Sequence, residues 1–315
     1  MPASPASILV TGATGFIGRR LVRALLDKGL RVRALVRPDS SPDKRIPAGC
    51  EQVPASLTDA DMLADVVASS SAVIYCAGSV RGRNLDDFST ANIKGVQAML
   101  EAVEQAGNSV PLLLLSSLAA SRPELSDYAR SKFEGEKLLR DKTSLNWTIL
   151  RPPAVYGPGD REMLPILKMA RKGWLAHAGP ADQRLSLIHV DDLVDAIITW
   201  LSAPEKCLHG TSAIDDGTAG GYSWRDIGDA VSDKQFKLIP IPRLLLRTVA
   251  NLNLQLSRAF NYVPMLSPGK VRELVQAEWL CDNSSFSDAT GWTPKLQLKQ
   301  GAGQLFDDNK DSSTM

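Results

Sequence analysis

The residues TGATGFIG (11–18) constrain this chain more than any other segment. They follow the apolar run SILVTGA (7–13) and precede a segment, Phe16 to Lys28, with apolar residues at 17, 21, 22, 25 and 26. A short continuous apolar run before the glycines and apolar spacing of about 3.6 after them predict a buried strand, a turn and a helix. Glycines at 12, 15 and 18 lack the side chains that would block a sharp turn, and they let a pyrophosphate come up to the backbone. The helix N-terminus then offers unpaired N–H groups and the positive end of its dipole. A glycine turn alone is a weak signal; between strand and helix it predicts a dinucleotide site. Gly12, Thr14, Gly15, Phe16 and Ile17 are the expected contacts.

The same alternation continues. Strands are predicted over 30–38, 72–78, 110–117 and within 147–157, with a short one near Glu51 to Ala55; helices are predicted over 59–68, 85–106 and 127–141. VPLLLLSS (110–117) is nearly all apolar, as expected of a strand buried on both faces. Repeated strand–helix–strand units imply an α/β fold, a Rossmann-type doubly wound parallel sheet, whose ligands bind beyond the carboxyl ends of its strands. The expected organisation is a dinucleotide-binding domain over 1–157, completed by about 184–203 where RLSLIHV (184–190) reads as a returning strand. A smaller substrate-binding lobe follows from 158–183 and 204–315.

Formal charge is +1, from 36 basic and 35 acidic residues. That balance argues against nucleic acid as a partner. Four scattered cysteines make no disulfide framework, which points to a reducing cytoplasm. His177, His189 and His209 have no carboxylate or cysteine at ligand spacing, so no metal is expected. No stretch reaches the roughly 18 apolar residues of a bilayer span. Leu244 to Phe260 has apolar residues at helical spacing broken by Arg247, Asn251, Asn253, Gln255 and Arg258. It reads as an amphipathic helix, packed on the protein's own core or a partner subunit, or lying on a membrane surface. The tail from Asp307 is polar and reads as frayed.

Two further features carry chemistry. The second strand ends at Arg37, where an acidic residue would accept the 2′-hydroxyl of NAD; Arg33, Lys44 and Arg45 stand nearby in sequence. A guanidinium suits a 2′-phosphate instead, which favours NADP(H) and leaves NAD(H) as the alternative. Tyr128 and Lys132, four apart in YARSK, share one face of a helix that follows the strand-end serines Ser116 and Ser117. An ammonium near a phenol favours the phenolate, so the pair can move a proton to or from an alcohol or carbonyl. Arg81 and Arg83, after Gly78, read as solvated loop charges or as phosphate or substrate contacts.

With TGATGFIG, CAG (76–78), Asn92, SS (116–117), YARSK, RPPAVYGPGD (151–160) and HVDD (189–192) in place, the chain resembles the short-chain dehydrogenase/reductase superfamily over about residues 7–300. Within it the resemblance is to the extended or atypical NAD-dependent epimerase/dehydratase group. It implies Tyr128 as catalytic acid/base, Lys132 as its partner and Ser117 as donor to the substrate oxygen, with Ser116 and Ser121 as other candidates. Leu57, Cys76, Ala77, Gly78, Pro152 and Val155 are the further cofactor contacts it implies. His189 and Asp191 resemble a structural element of the family. Two departures stand out. Only LAASRPELSD separates Ser117 from Tyr128, and Ser56-Leu57 replaces the family's Asp-Leu at the adenine. The short loop and the lack of a cluster for a second diphosphate favour a carbonyl reductase or alcohol dehydrogenase. The alternatives are a nucleotide-sugar epimerase or dehydratase, and a non-catalytic NADP-binding sensor or structural subunit. A homodimer through the helices near 85–106 and 127–141 is also implied.

Overall fold

The computed structural model describes residues 7–37, 45–107, 109–232 and 234–311. Lys44 and the last four residues of the polar tail lie outside them. The chain divides into two compact units, one of Met1–Arg151 with Ala196–Ser212, the other of Pro152–Asp195 with Ala213–Met315.

The first unit opens with β1 (Ser7–Thr11), α1 (Phe16–Asp27), β2 (Val32–Val36), β3 (Glu51–Pro54), α2 (Ala60–Ala68) and β4 (Ser70–Tyr75). It continues with α3 (Leu85–Ser89), α4 (Gly95–Gln105), β5 (Leu112–Leu115), α5 (Asp127–Arg140) and β6 (Trp147–Arg151). In the second unit lie β7 (Ala154–Tyr156), α6 (Leu164–Arg171), β8 (Trp174–His177), β9 (Arg184–Leu185) and β10 (Leu187–His189). Helix α7 (Val190–Ser202) contributes residues to both units, and β11 (Thr211–Ala213) follows it. The rest of the second unit holds α8 (Trp224–Val231), β12 (Lys237–Pro240), α9 (Arg243–Ala259), α10 (Pro268–Leu274), β13 (Glu278–Trp279), α11 (Ser284–Thr290) and α12 (Leu298–Asp311).

Seven strands form the main sheet in the order β11-β6-β5-β4-β1-β2-β3. The pairs from β6 through β3 are parallel, as the strand–helix alternation predicts. This is a Rossmann-like doubly wound sheet: strand order reverses beside β1, between β1 and β4, and that reversal opens a crevice at the strand ends. Burial follows the sequence pattern, since every residue of β1 and of β5 is buried. Asp59 caps α2 by accepting from Met62 N at 3.1 Å, and Ser126 caps α5 by accepting from Ala129 N at 2.9 Å.

Two differences from the sequence reading have physical causes. RLSLIHV does not return to the main sheet. It breaks at Ser186, whose hydroxyl bonds Asp215 at 2.5 Å; β9 pairs with β13 and β10 with β7, and β11 becomes the seventh strand instead. The helix predicted over 85–106 is interrupted by a wide turn at Thr90–Lys94, where Gly95 N reaches back to Thr90 O. The Tyr75 hydroxyl donates to the Ala91 carbonyl there at 2.7 Å. Gly95 makes room, because a Cβ on it would lie 2.3 Å from that hydroxyl. Such a one-residue expansion is common at functional sites.

Helix α5 meets this turn at Gly135, where an added Cβ would lie 2.2 Å from Asn92 O. Gly135→Ala is therefore expected to cost about 1–3 kcal/mol of unfolding free energy by overpacking, read as a lower midpoint at unchanged slope in urea denaturation.

Candidate active site

After β1 the chain turns through Gly12, at φ +68°, and Gly15 N donates to Gly12 O at 2.9 Å. A Cβ on Gly12 would lie 2.7 Å from Ala77 N, and one on Gly18 only 2.2 Å from Gly12 O. So the turn is drawn against the end of β4 from one side and against α1 from the other. The Thr11 hydroxyl holds the contact by accepting from Ala77 N at 3.0 Å. Gly15 caps α1 without a side-chain bond, and no acidic residue stands in the first turn. The N–H groups of that turn are left for an anion, and a dinucleotide phosphate fits this cradle. Thr14, Phe16 and Ile17 lie on this turn as the sequence reading places them.

Beyond β4 the segment Cys76-Ala77-Gly78 lies over Lys132 and Asn92. A Cβ on Gly78 would sit 3.0 Å from Lys132 Nζ and 3.2 Å from Asn92 Oδ1. Lys132 is buried, and its ammonium donates to the Leu115 carbonyl at the end of β5 (3.1 Å). Burial pushes its pKa down to about 8, against the pull of Cys76 and Glu136. The Cys76 thiol is driven the other way, up to about 12 by burial, so it remains neutral. Asn92 ties three segments together: it accepts from Ser79 N at 3.1 Å and donates to Ser79 O at 3.0 Å and to Ser131 Oγ at 2.9 Å.

Tyr128 is half-buried one helical turn before Lys132, and its ring stands 5.9 Å from that of Phe88 in a tilted contact. The three candidate serines part ways. The Ser116 hydroxyl is buried and donates to Glu136 at 2.5 Å, and Ser121 donates to Leu118 O at 2.7 Å. Ser117 is half-buried at the start of a short 3-10 turn, accepting from Ala119 N at 3.2 Å.

Glu136 was absent from the sequence-derived site. It is fully buried, one turn beyond Lys132, and besides Ser116 it accepts from Arg140 Nη2 at 2.6 Å and from Arg151 Nε at 2.8 Å and Nη2 at 2.5 Å. Two guanidinium partners offset the cost of burying the carboxylate. Its only trace in sequence is an acidic residue at helical spacing on the face that carries Lys132.

At the adenine end, Arg37 is exposed just past β2. Arg33 points elsewhere: it bonds Ser69 at 2.6 Å and pairs with Glu51 at 3.3 Å. Leu57 packs against the sheet core beside α4, and the Ser56 hydroxyl is engaged with Thr58 at 3.0 Å. Arg83 pairs with Asp87 at 3.2 Å and donates to it through its backbone N–H; these bonds hold the Asp87 carboxyl below its ordinary range. In the second unit, Pro152 is buried directly after β6, and Val155 is half-buried in β7. His189 is buried there, edge-on to Tyr156 at 5.2 Å and 3.7 Å from Asp191. The neighbouring Asp192 accepts from the backbone of Lys295 and Leu296 at 3.0 and 2.8 Å, so HVDD joins two segments of that unit. Among the described residues no group of three His, Cys, Asp or Glu could hold a metal ion.

Comparison with known proteins shows the family and the fold. The sequence profile described as "NAD dependent epimerase/dehydratase family" matches residues 8–213. The chain belongs to that family. Among its relatives, a ceramide reductase of Caulobacter vibrioides is 33% identical over 311 residues, covering 95% of this chain and 96% of that one. A UDP-glucose 4-epimerase of Vibrio cholerae is 25% identical over 95% of this chain and 94% of its own length. The solved UDP-glucose 4-epimerase of Thermus thermophilus, a complex with NAD, superposes with a TM-score of 0.71 at 22% identity, over 98% of this chain and 100% of that one. That match shows the fold. The family is an NAD-dependent one whose members here are named reductases and epimerases.

The Lys132 shift has a sign that can be checked. Its folded pKa of about 8 lies below the unfolded 10.5, so below pH 8 the buried ammonium destabilises the fold in full, and the penalty fades between pH 8 and 10.5. Lys132→Met is expected to raise the melting temperature by a few degrees at pH 7, a gain of at most about 3 kcal/mol, and to lose that advantage above pH 10.5. Calorimetry across this range checks it.

Proposed function

We propose that this chain is an NADP(H)-dependent carbonyl reductase acting on a substrate with a long hydrocarbon portion. The observation that carries the reading is the placement, in one unit, of the uncapped glycine cradle and of Lys132 directly beneath Gly78, with Tyr128 one turn away. Bound dihydronicotinamide supplies one hydride to the carbonyl carbon. The Tyr128 hydroxyl gives its proton to the carbonyl oxygen as that oxygen becomes an alkoxide, and the phenolate is re-protonated from solvent. Lys132, charged below pH 8, favours the phenolate and can also donate to the nicotinamide ribose. Ser117 donates to the reacting oxygen; the bond of Ser116 to Glu136 supports this choice between the two serines. The substrate class is suggested by relatives whose names specify ceramide, a farnesyl-bearing dihydroquinoline oxide and a 2-alkyl-3-oxoalkanoate. Arg37, exposed where β2 ends, supports the 2′-phosphate of NADP(H). Substrate choice is assigned to residues 158–183 and 204–315.

A small-molecule substrate such as a nucleotide sugar also fits the family, and the Vibrio cholerae relative supports an epimerase as the second reading. The two part experimentally. A reductase oxidises NADPH in proportion to long-chain ketone consumed; an epimerase interconverts UDP-sugars with no net change in absorbance at the nicotinamide band. Turnover of neither would favour a non-catalytic binding role.

Tyr128→Phe is expected to lower kcat by about 10²- to 10⁴-fold, with NADPH affinity within about twofold of the parent. Stopped-flow rates and fluorescence titration read the two separately. Arg37→Ala is expected to weaken NADPH binding about tenfold and to leave NADH binding unchanged, since only one of them presents a phosphate there.

A further inference from the structure

Helix α9 has two apolar sides, and only one is used. Leu246 and Ala250 are buried against Val271 of α10 and Ala178. A second stripe, Leu245, Val249, Leu252, Leu256 and Phe260, follows the same spacing one face away. These side chains are 53%, 46%, 55%, 41% and 75% exposed. The chain that follows α9 adds Val263 at 53% and Met265 at 59%. Single exposed leucines are ordinary on a protein surface; a continuous row of five over four turns, extended by the next loop, marks an interaction surface.

Charge decides the occupant. Between residues 233 and 273 the sequence carries seven Lys and Arg against two acidic residues, Asp233 and Glu273, the latter paired with Lys270 at 3.0 Å; the whole chain is a net +1. On α9 itself Arg247 and Arg258 each stand two residues from a stripe residue, on the opposite side of the helix, so a complementary partner is apolar where it meets the stripe and anionic where it meets the polar side. A lipid bilayer bearing acidic headgroups is both. A second copy of this chain matches less well: a twofold contact through the stripe would bring together two segments that each carry an excess of positive charge. No helix among the described residues is long and apolar enough to cross a membrane, so the mode is contact in the plane of the surface.

We infer that the α9 face docks the protein on anionic lipid membranes. The stripe enters the boundary between headgroups and acyl chains, while the excess positive charge of residues 233–273 draws the protein to the surface. This goes beyond the reductase reading and does not depend on it, because binding is read without cofactor or substrate.

The test is co-sedimentation of the full chain with vesicles of phosphatidylglycerol and phosphatidylcholine, compared with phosphatidylcholine alone. Binding to the anionic vesicles is expected at low salt, falling about tenfold or more in about 0.5 M salt, where charge attraction is screened. Leu252→Ser combined with Leu256→Ser should lower binding at least about tenfold, since each removes buried hydrocarbon. Its melting temperature should stay at the parent value because neither side chain is buried. Arg247→Gln with Arg258→Gln should weaken binding to anionic vesicles and abolish part of the salt dependence. Equal affinity for both vesicle types, or no binding to either, overturns the inference. So does a dimer in light scattering that the leucine variants convert to monomer without any vesicle binding.

Discussion

Everything in the first unit depends on how closely two backbone segments approach at the crevice between β1 and β4. Gly12 lies so near Ala77 that no side chain fits, and Gly18 lies so near Gly12 that α1 can start directly behind the turn. The Thr11 hydroxyl, bonded to Ala77 N, fixes the separation from the β1 side. Because the gap is closed by backbone rather than side chains, the N–H groups of the α1 N-terminus remain free for phosphate. The same contact sets where Cys76, Ala77 and Gly78 run, and so decides what lies beneath them.

What lies beneath is a buried ammonium, an unfavourable thing to build. Lys132 is accommodated by the Leu115 carbonyl and by the nearby Glu136 carboxylate, and its remaining desolvation appears as a lowered pKa. Glu136 is held in turn by two arginines and by Ser116. That network joins α5 to the ends of β5 and β6, so the helix face bearing Tyr128 and Lys132 is tied to the strand end bearing Ser117. Asn92 provides the second tie, from the expanded helical turn to Ser79 and Ser131. The unit thus concentrates its unfavourable burial at one polar cluster and surrounds it with packed apolar strands.

The second unit is built on different terms. Among its described residues it has three two-stranded sheets rather than one extended sheet, and carboxylates that cap backbone: Asp160 receives three N–H groups at the start of α6, and Asp192 receives two from Lys295 and Leu296. Short elements joined by such bonds can vary locally, which is what the proposed role of this unit in substrate choice requires. The exposed stripe of α9 belongs to this unit as well.

The strand–turn–helix at residues 7–27, the parallel pairing of the strands and the helix that carries Tyr128 and Lys132 four residues apart were legible from the sequence. Each rests on local information: periodicity, glycine spacing and residues four apart on a helix. Other features were decided only when distant segments met. Ser116 and Ser117 are adjacent and chemically identical, and they were separated by a glutamate 20 residues away that engages the first. The wide turn at Asn92 exists because Tyr75 reaches Ala91 from the sheet, and RLSLIHV splits because Ser186 meets Asp215. Amphipathic spacing likewise announced α9 as a helix, but the pattern has two apolar sides, and which one faced the core was settled by its packing on α10. Period and spacing are properties of neighbouring residues; partner choice is a property of the folded surface, where desolvation and hydrogen bonding across the chain select among locally equal options.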